Sequence, residues 1–207
     1  MFHAVNLETL RGMHGVHRSM FMDRAQQFVT RHRWPLELQP TGFEVDAFDD
    51  ALTTYCVVED GGLHHASLRL RSAEAGSMVE RHFPELWRGA LTRLVGKTEV
   101  TRFCASPALS PDLRLSSVSD LLLGLCRHSQ RSGAETFFGV VFPTVARVIK
   151  QSGWPPTIIG EMHDPSGLLL LAEWTASERV AWNIQECREL REQSWSERRA
   201  ASVQLVA

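Results

Sequence analysis

The chain has 207 residues, 43% of them hydrophobic, with 22 Lys and Arg against 24 Asp and Glu. That length suits one domain with a sizeable core, and the near balance of charge gives no electrostatic reason to bind nucleic acid or an acidic polymer. No apolar run reaches the roughly 20 residues of a membrane-spanning helix, and residues 1–7 are too short to be a signal peptide. The four cysteines (Cys56, Cys104, Cys126, Cys187) lack metal-type or redox-type spacing, and three lie in apolar runs. A cytoplasmic domain without membrane or nucleic-acid partner is expected.

In chain order, Phe2 to Val5 reads as a first strand. Leu7 to Met20 places Leu10, Met13, Val16 and Met20 on one helical face. Phe21 to Trp34 continues as a second amphipathic stretch in which Arg24 and Phe28, one turn apart, share a side. Pro35 and Pro40 end it, and the segment to Asp50 has no period. Within that segment Asp46 and Asp49 are candidate binding residues, whereas Glu44 and Asp50 read as solvated surface. A hairpin follows, Thr53 to Val58 and Leu63 to Arg71, around Gly61-Gly62. A helix from Ser77 to Arg93 is interrupted at Pro84, and a strand carries Glu99 to Phe103. The Ser- and Pro-rich stretch to Ser116 reads as a loop, with a helix from Ser117 to Ser132 closed by Gly133. Then come a strand at Thr136 to Val141, a helix at Thr144 to Ser152 opened by Pro143, two strands around Asp164 to Gly167, and a last helix from Ser177 to about Ser194. A hairpin followed by strand-helix alternation implies one α/β domain with a mixed sheet covered on both faces. Residues 1–195 form that domain, with 196–207 a flexible tail.

The chemistry centres on Glu99-Val100-Thr101-Arg102-Phe103. Strand alternation puts Glu99, Thr101 and Phe103 on one face and Arg102 on the other. Charges on an otherwise buried strand need partners, and Arg24, Asp46, Asp49 and Arg69 are available. Such a network can be a structural ion-pair cluster or a substrate site. No phosphate-binding glycine loop, dinucleotide fingerprint, His-Glu-x-x-His or Gly-x-Ser-x-Gly occurs, so the common nucleotide, metalloprotease and hydrolase chemistries have no support, and no metal site is expected.

These single residues, taken in order, resemble the acyl-homoserine-lactone synthases, the LuxI-type makers of quorum-sensing autoinducers. The likeness lies in Arg24-x-x-x-Phe28 with Trp34, in Glu44-Val45-Asp46-Ala47-Phe48-Asp49, in Ser67-Leu68-Arg69-Leu70, and in Glu99-Val100-Thr101-Arg102-Phe103. It departs where Thr101 replaces a usual serine and where Arg71-Ser72-Ala73 follows the arginine strand, and it is looser in the second half.

The resemblance implies a single-domain, three-layer GNAT-like fold with a mostly antiparallel sheet flanked by helices. It also implies transfer of an acyl group from acyl carrier protein or CoA to the amine of S-adenosylmethionine, then lactone closure with release of methylthioadenosine. S-adenosylmethionine is then a substrate, and no cofactor is expected. On this reading Glu99 takes the amine proton, Asp46 and Asp49 attract the cationic substrate, and Arg69 and Arg102 orient the acids or hold a carboxylate. Arg24, Phe28, Trp34, Thr101 and Phe103 complete the S-adenosylmethionine site, the aromatics packing on a cation or adenine. Met78, Phe138, Gly139 and Val141 are expected in the acyl pocket, and Arg147 and Lys150 at the docking surface for an acidic carrier protein. Gly139 offers no hydroxyl to a C3 carbonyl, which favours an acyl chain without a 3-oxo group. The alternatives are a GNAT-like N-acyltransferase using acyl-CoA and another amine, or a non-catalytic binding relative.

Overall fold

Alternating apolar residues build seven strands: β1 (Phe2–Asn6), β2 (Thr54–Asp60), β3 (Leu63–Ser72), β4 (Thr98–Ala105), β5 (Thr136–Val141), β6 (Thr157–Asp164) and β7 (Gly167–Thr175). In the computed structural model, which describes the backbone of residues 1–204 and the side chains of residues 1–197, they form one sheet ordered β1-β2-β3-β4-β5-β7-β6. Only β4 and β5 run parallel; the other neighbours are antiparallel. The mixed sheet read from the sequence and the mostly antiparallel pairing implied by the resemblance are therefore both present.

Helices cover both faces. On one lie α1 (Leu7–Gly12) and α2 (His14–Arg24), whose Leu10, Met20 and Phe21 bury against Tyr55 and Val57. Beside them, α3 (Met78–His82) leads into α4 (Pro84–Leu94), which packs Trp87 and Leu94 on Phe138 and Leu171. On the other face, α5 (Pro111–Ser132), α6 (Pro143–Gln151) and α7 (Glu178–Gln204) close the largest core, where Leu121, Cys126, Ile149 and Ile184 meet Leu68 and Phe137.

Several elements differ from the sequence reading for local reasons. The first helix breaks at Met13, which leaves helical geometry at ψ 64°. After Arg24 the chain widens into a π-helical stretch, Ala25–Arg31, a form that accommodates an extra residue per turn and often marks functional sites. The helix expected from Ser117 begins at Pro111, because Ser110 accepts the Leu113 N–H and proline takes the first helical position. Ser117 and Ser119 then bond the carbonyls of Leu113 and Leu115 within the helix. The last helix continues to Gln204 rather than ending near Ser194; residues 205–207 of the expected tail lie outside the described residues.

Two irregularities position the site. Ser67 pairs with Cys104 and Arg69 with Thr101, so Leu68 alone stands opposite two residues of β4, Arg102 and Phe103. This is a β-bulge, and Arg102 adopts a left-handed conformation with φ 54°. The extra residue corrects the alternation expected of a regular strand. Arg102 joins Glu99 and Thr101 on the α2 face, and Phe103 turns to the core under α5. The second irregularity is the β4–β5 ladder, which pairs only Thr98 with Phe137 and Glu99 with Phe138 before it stops. Where it stops, a Cβ on Gly139 would lie 2.5 Å from the Val100 carbonyl oxygen. The absence of a side chain is what lets the strands approach there.

Gly139→Ala is therefore expected to cost about 1–3 kcal/mol as overpacking. Its melting temperature should fall by several degrees, read by calorimetry against the wild type.

Candidate active site

Three acids and three arginines alternate in a closed ring on the α2 face of β3 and β4. Arg24, at the end of α2, donates from Nε to Glu44 at 2.6 Å and from both terminal nitrogens to Asp49 at 3.0 and 2.9 Å. Asp49 also lies 3.1 Å from Nη1 of Arg69. Arg69 reaches Asp46 at 2.5 and 3.1 Å and donates from Nε to Thr101 Oγ1 at 2.8 Å. Arg102 closes the circuit, reaching Asp46 at 2.7 Å and Glu44 at 2.9 Å. The net charge is zero, and every buried charge faces an opposite one, which is the condition for burying ions at all.

The acidic segment folds to present its carboxylates. Asp46 accepts the Phe48 N–H at 2.8 Å, and Asp49 accepts the Asp46 N–H at 2.9 Å. The Tyr55 hydroxyl donates to Asp49 at 2.9 Å. Phe48 sits under the guanidinium groups of Arg69 and Arg71 at 5.7 and 5.5 Å. Arg71 holds Asp50 at 2.6 Å and the carbonyls of Ala75 and Gly76, so Asp50 is an anchor of the loop rather than free surface. Glu44 is the larger correction. Read from sequence as solvated, its side chain is 1% exposed and pairs with two arginines.

Within the ring Asp46 is the opening to solvent, with 22% of its side chain exposed against 1% for Glu44, Asp49 and Arg24. Next to it, the Arg102 guanidinium lies 5.7 Å from the Phe28 ring, and Phe28 stacks on Trp34 at 4.9 Å with the planes 6° apart. Trp34 and His32 in turn approach Phe142 at 6.0 and 6.4 Å. The aromatic group therefore joins the π-helical stretch to the start of α6. Phe142 carried no sequence signal beyond its place before Pro143.

Glu99 is 1% exposed, and its two oxygens accept the backbone N–H groups of Met78 and Val79 at 2.8 and 2.9 Å. It thereby fixes the start of α3. Burial pushes its carboxyl up, outweighing those N–H bonds and the charge of Arg69. Burial acts in the same direction on Asp49, but the guanidinium groups of Arg24 and Arg69 outweigh it and hold that carboxyl well below the usual range. Asp46 is likewise lowered, burial being offset by Arg69 and Arg102. One site thus holds carboxylates pushed in opposite directions, the pattern that separates a proton acceptor from permanent charges.

The remaining expected residues divide between places. Val141 lies on the α5 face of the sheet with Val100 and Phe103, all half-buried beside the main core with Val145 and Val148 of α6. The structure sets the expected acyl-pocket residues on different sides of the sheet. Phe138 points to the opposite face and packs on Trp87. Met78 stands beside the ring, its sulfur 3.6 Å from Arg102 Nη1. Phe103 likewise leaves the ring for the other face, because the bulge turns it away. Arg147 and Lys150 are exposed on one side of α6, and the His32–Phe142 contact brings exposed Arg31 and Arg33 toward its start.

A mixed sheet that parts between its two parallel strands, β4 and β5, with helices on both faces, is the arrangement of the GNAT-like acyltransferases. The family model described as "Autoinducer synthase" matches residues 9–180. The chain belongs to that family and is an acyl-homoserine-lactone synthase. An acyl-homoserine-lactone synthase of Rhizobium radiobacter is 28% identical over 151 residues, which is 70% of each chain. Among solved structures, the CoA-dependent acyl-homoserine lactone synthase MesI superposes with a TM-score of 0.75 at 24% identity, covering 93% of this chain and 95% of that one. The CoA-dependent acyl-homoserine lactone synthase BjaI, solved with SAM and isopentyl-CoA, gives 0.76 at 19% identity, covering 93% of this chain and 89% of that one.

Truncating Glu44 strips two buried arginines of a partner. Glu44→Ala should cost about 3 kcal/mol, measured by urea unfolding. The lowered acids set a pH window. Their folded pKa values lie below the unfolded ones, so the stability they add is present above about pH 4 and is lost as the pH falls below it. Acid unfolding should be steep there in the wild type and shallower in Asp49→Asn.

Proposed function

We propose that the ring and the Phe28–Trp34 stack bind S-adenosylmethionine, and that Glu99 accepts the amine proton while an acyl thioester lies along the parted strands. What carries the reading is the ring's single opening. Asp46 is the accessible carboxylate, set beside stacked aromatics, where a sulfonium or ammonium finds both a counter-charge and a π-face. Arg102, next to Asp46, suits the substrate carboxylate. Thr101, with its hydroxyl already held by Arg69, lies between this charge and Glu99.

The amine nitrogen attacks the thioester carbonyl carbon, the carbon–sulfur bond breaks, and the thiol leaves. The amine proton passes to Glu99 directly or through water; a raised pKa strengthens that carboxylate as a base at neutral pH. The bulge leaves Arg102 and Phe103 without partners of their own in the β3–β4 ladder, which makes their main-chain N–H groups candidates to receive the carbonyl oxygen as it becomes negative. The methionine carboxylate oxygen then attacks the γ-carbon next to sulfur, displacing 5′-methylthioadenosine and closing the lactone.

Val100, Phe103 and Val141, with Val145 and Val148 of α6, form an apolar wall for the acyl group. Gly139, held against the Val100 carbonyl, brings no polar group to it, which supports a chain without a 3-oxo group, including branched or aryl acids. Arg147 and Lys150, with Arg31 and Arg33, suit either an acidic carrier protein or the phosphates of CoA. Four free cysteines fit a reducing cytoplasm.

Expressed in a heterologous bacterium, the chain should yield acyl-homoserine lactones by mass spectrometry, with 3-oxo forms a minor fraction; a dominant 3-oxoacyl product would refute the Gly139 reading. Glu99→Gln should lower kcat by about 10²-fold or more, beyond any change in melting temperature, and Asp46→Asn should mainly raise KM for S-adenosylmethionine.

A further inference from the structure

Beside the site, α2 grips the sheet through polar side chains spaced four residues apart. Ser19 Oγ accepts the His64 backbone N–H at 2.9 Å, and Asp23 Oδ2 lies 2.7 Å from the His64 ring Nδ1. One turn on, Gln27 donates to the Ala105 carbonyl at 3.0 Å. His64 is 2% exposed, and its second ring nitrogen is 2.9 Å from the hydroxyl of Ser67, itself 2% exposed. Burial holds the imidazole below its usual range despite Asp23. A neutral ring that donates from Nδ1 to Asp23 and accepts at Nε2 from Ser67 satisfies all three groups.

None of these side chains belongs to the acid–arginine ring. Ser19, Asp23 and Gln27 form one stripe of α2 and the π-helical stretch, and the neighbouring stripe is Met20, Arg24 and Phe28. Rotation of α2 about its axis would therefore move Arg24 against Glu44 and Asp49, and Phe28 against Arg102. An apolar contact would let the helix settle over a range of angles. A buried polar contact with both partners satisfied does not, because any slip leaves a donor or acceptor unpaired.

We propose that Asp23–His64–Ser67 is a positioning relay that sets the rotation of α2, and so holds Arg24 against Glu44 and Asp49 and presents Phe28 to the cationic substrate. Functional groups of this kind need to be held within about 0.5 Å and 10–20° by the groups behind them. The inference rests on the S-adenosylmethionine reading of the ring. The Asp23 arm is the one that reaches α2; the Ser67 arm stays within β3.

That asymmetry supplies the test. His64→Asn puts an amide near the Nδ1 position and keeps the Asp23 bond, whereas His64→Gln puts one near Nε2 and keeps only the Ser67 bond. Steady-state kinetics should give His64→Asn a KM for S-adenosylmethionine within about threefold of the wild type. His64→Gln should raise it by about tenfold, with kcat changed much less. A structural role alone would lower both melting temperatures and move neither KM, and equal KM values in the two variants overturn the proposal. If either variant fails to fold, Asp23→Asn against Asp23→Ala offers the same contrast, because asparagine still accepts the Nδ1–H. Calorimetric binding of S-adenosylmethionine to Arg24→Lys separates the two layers. Unchanged binding there removes the substrate reading itself, while weakened binding there with an unaffected His64→Gln removes only the relay.

Discussion

Three guanidinium groups and three carboxylates, alternating in a closed circuit, hold this molecule's working face together. Each charge would be prohibitive alone in that environment, and each removal leaves two neighbours short of a partner. The circuit draws from α2 (Arg24), the irregular segment (Glu44, Asp46, Asp49), β3 (Arg69) and β4 (Arg102). A segment without regular secondary structure is thereby ordered by ion pairs together with the packing of Phe43 and Val45 on the apolar core. The same circuit holds Arg102 in a left-handed conformation that costs about 1 kcal/mol or more.

That strained residue links scaffold to chemistry. The extra residue in β4 turns Arg102 onto the face of Glu99 and Thr101 and turns Phe103 under α5. One irregularity thus sends charge to the face of the ring and an aromatic to the apolar face. A little further along the sheet the β4–β5 ladder stops, with Gly139 allowing the last close approach. The acids differ in environment as well: Glu99 is buried against backbone N–H groups, and Asp49 against arginines. Their surroundings push the two carboxyls in opposite directions before any substrate is considered.

How far the site was legible depended on how far each residue's role is local. Arg24 and Phe28 on one helical side, the hairpin at Gly61-Gly62 and the breaks at Pro84 and Gly133 follow from spacing and backbone preference. Glu44 did not follow, because a glutamate in an aperiodic acidic stretch looks solvated until Arg24 and Arg102 are seen to enclose it. Tyr55 alternates like any strand residue, and only its register opposite Arg69 takes it to Asp49. The resemblance groups Met78 and Phe138 with Val141, and the faces of the sheet separate both of them from Val141.

By itself, the sequence determined the α/β class, the element order, the family and the set of charged residues, because periodicity, turn chemistry and motif order are written along the chain. The tertiary structure alone decided which charges meet. The bulge inverts the alternation after Thr101, the π-helical stretch follows Arg24 and carries Phe28, and the ring closes through pairs up to 58 positions apart in sequence (Glu44 to Arg102). Pairing over such distances depends on strand register and helix rotation, and no local preference of the chain encodes either.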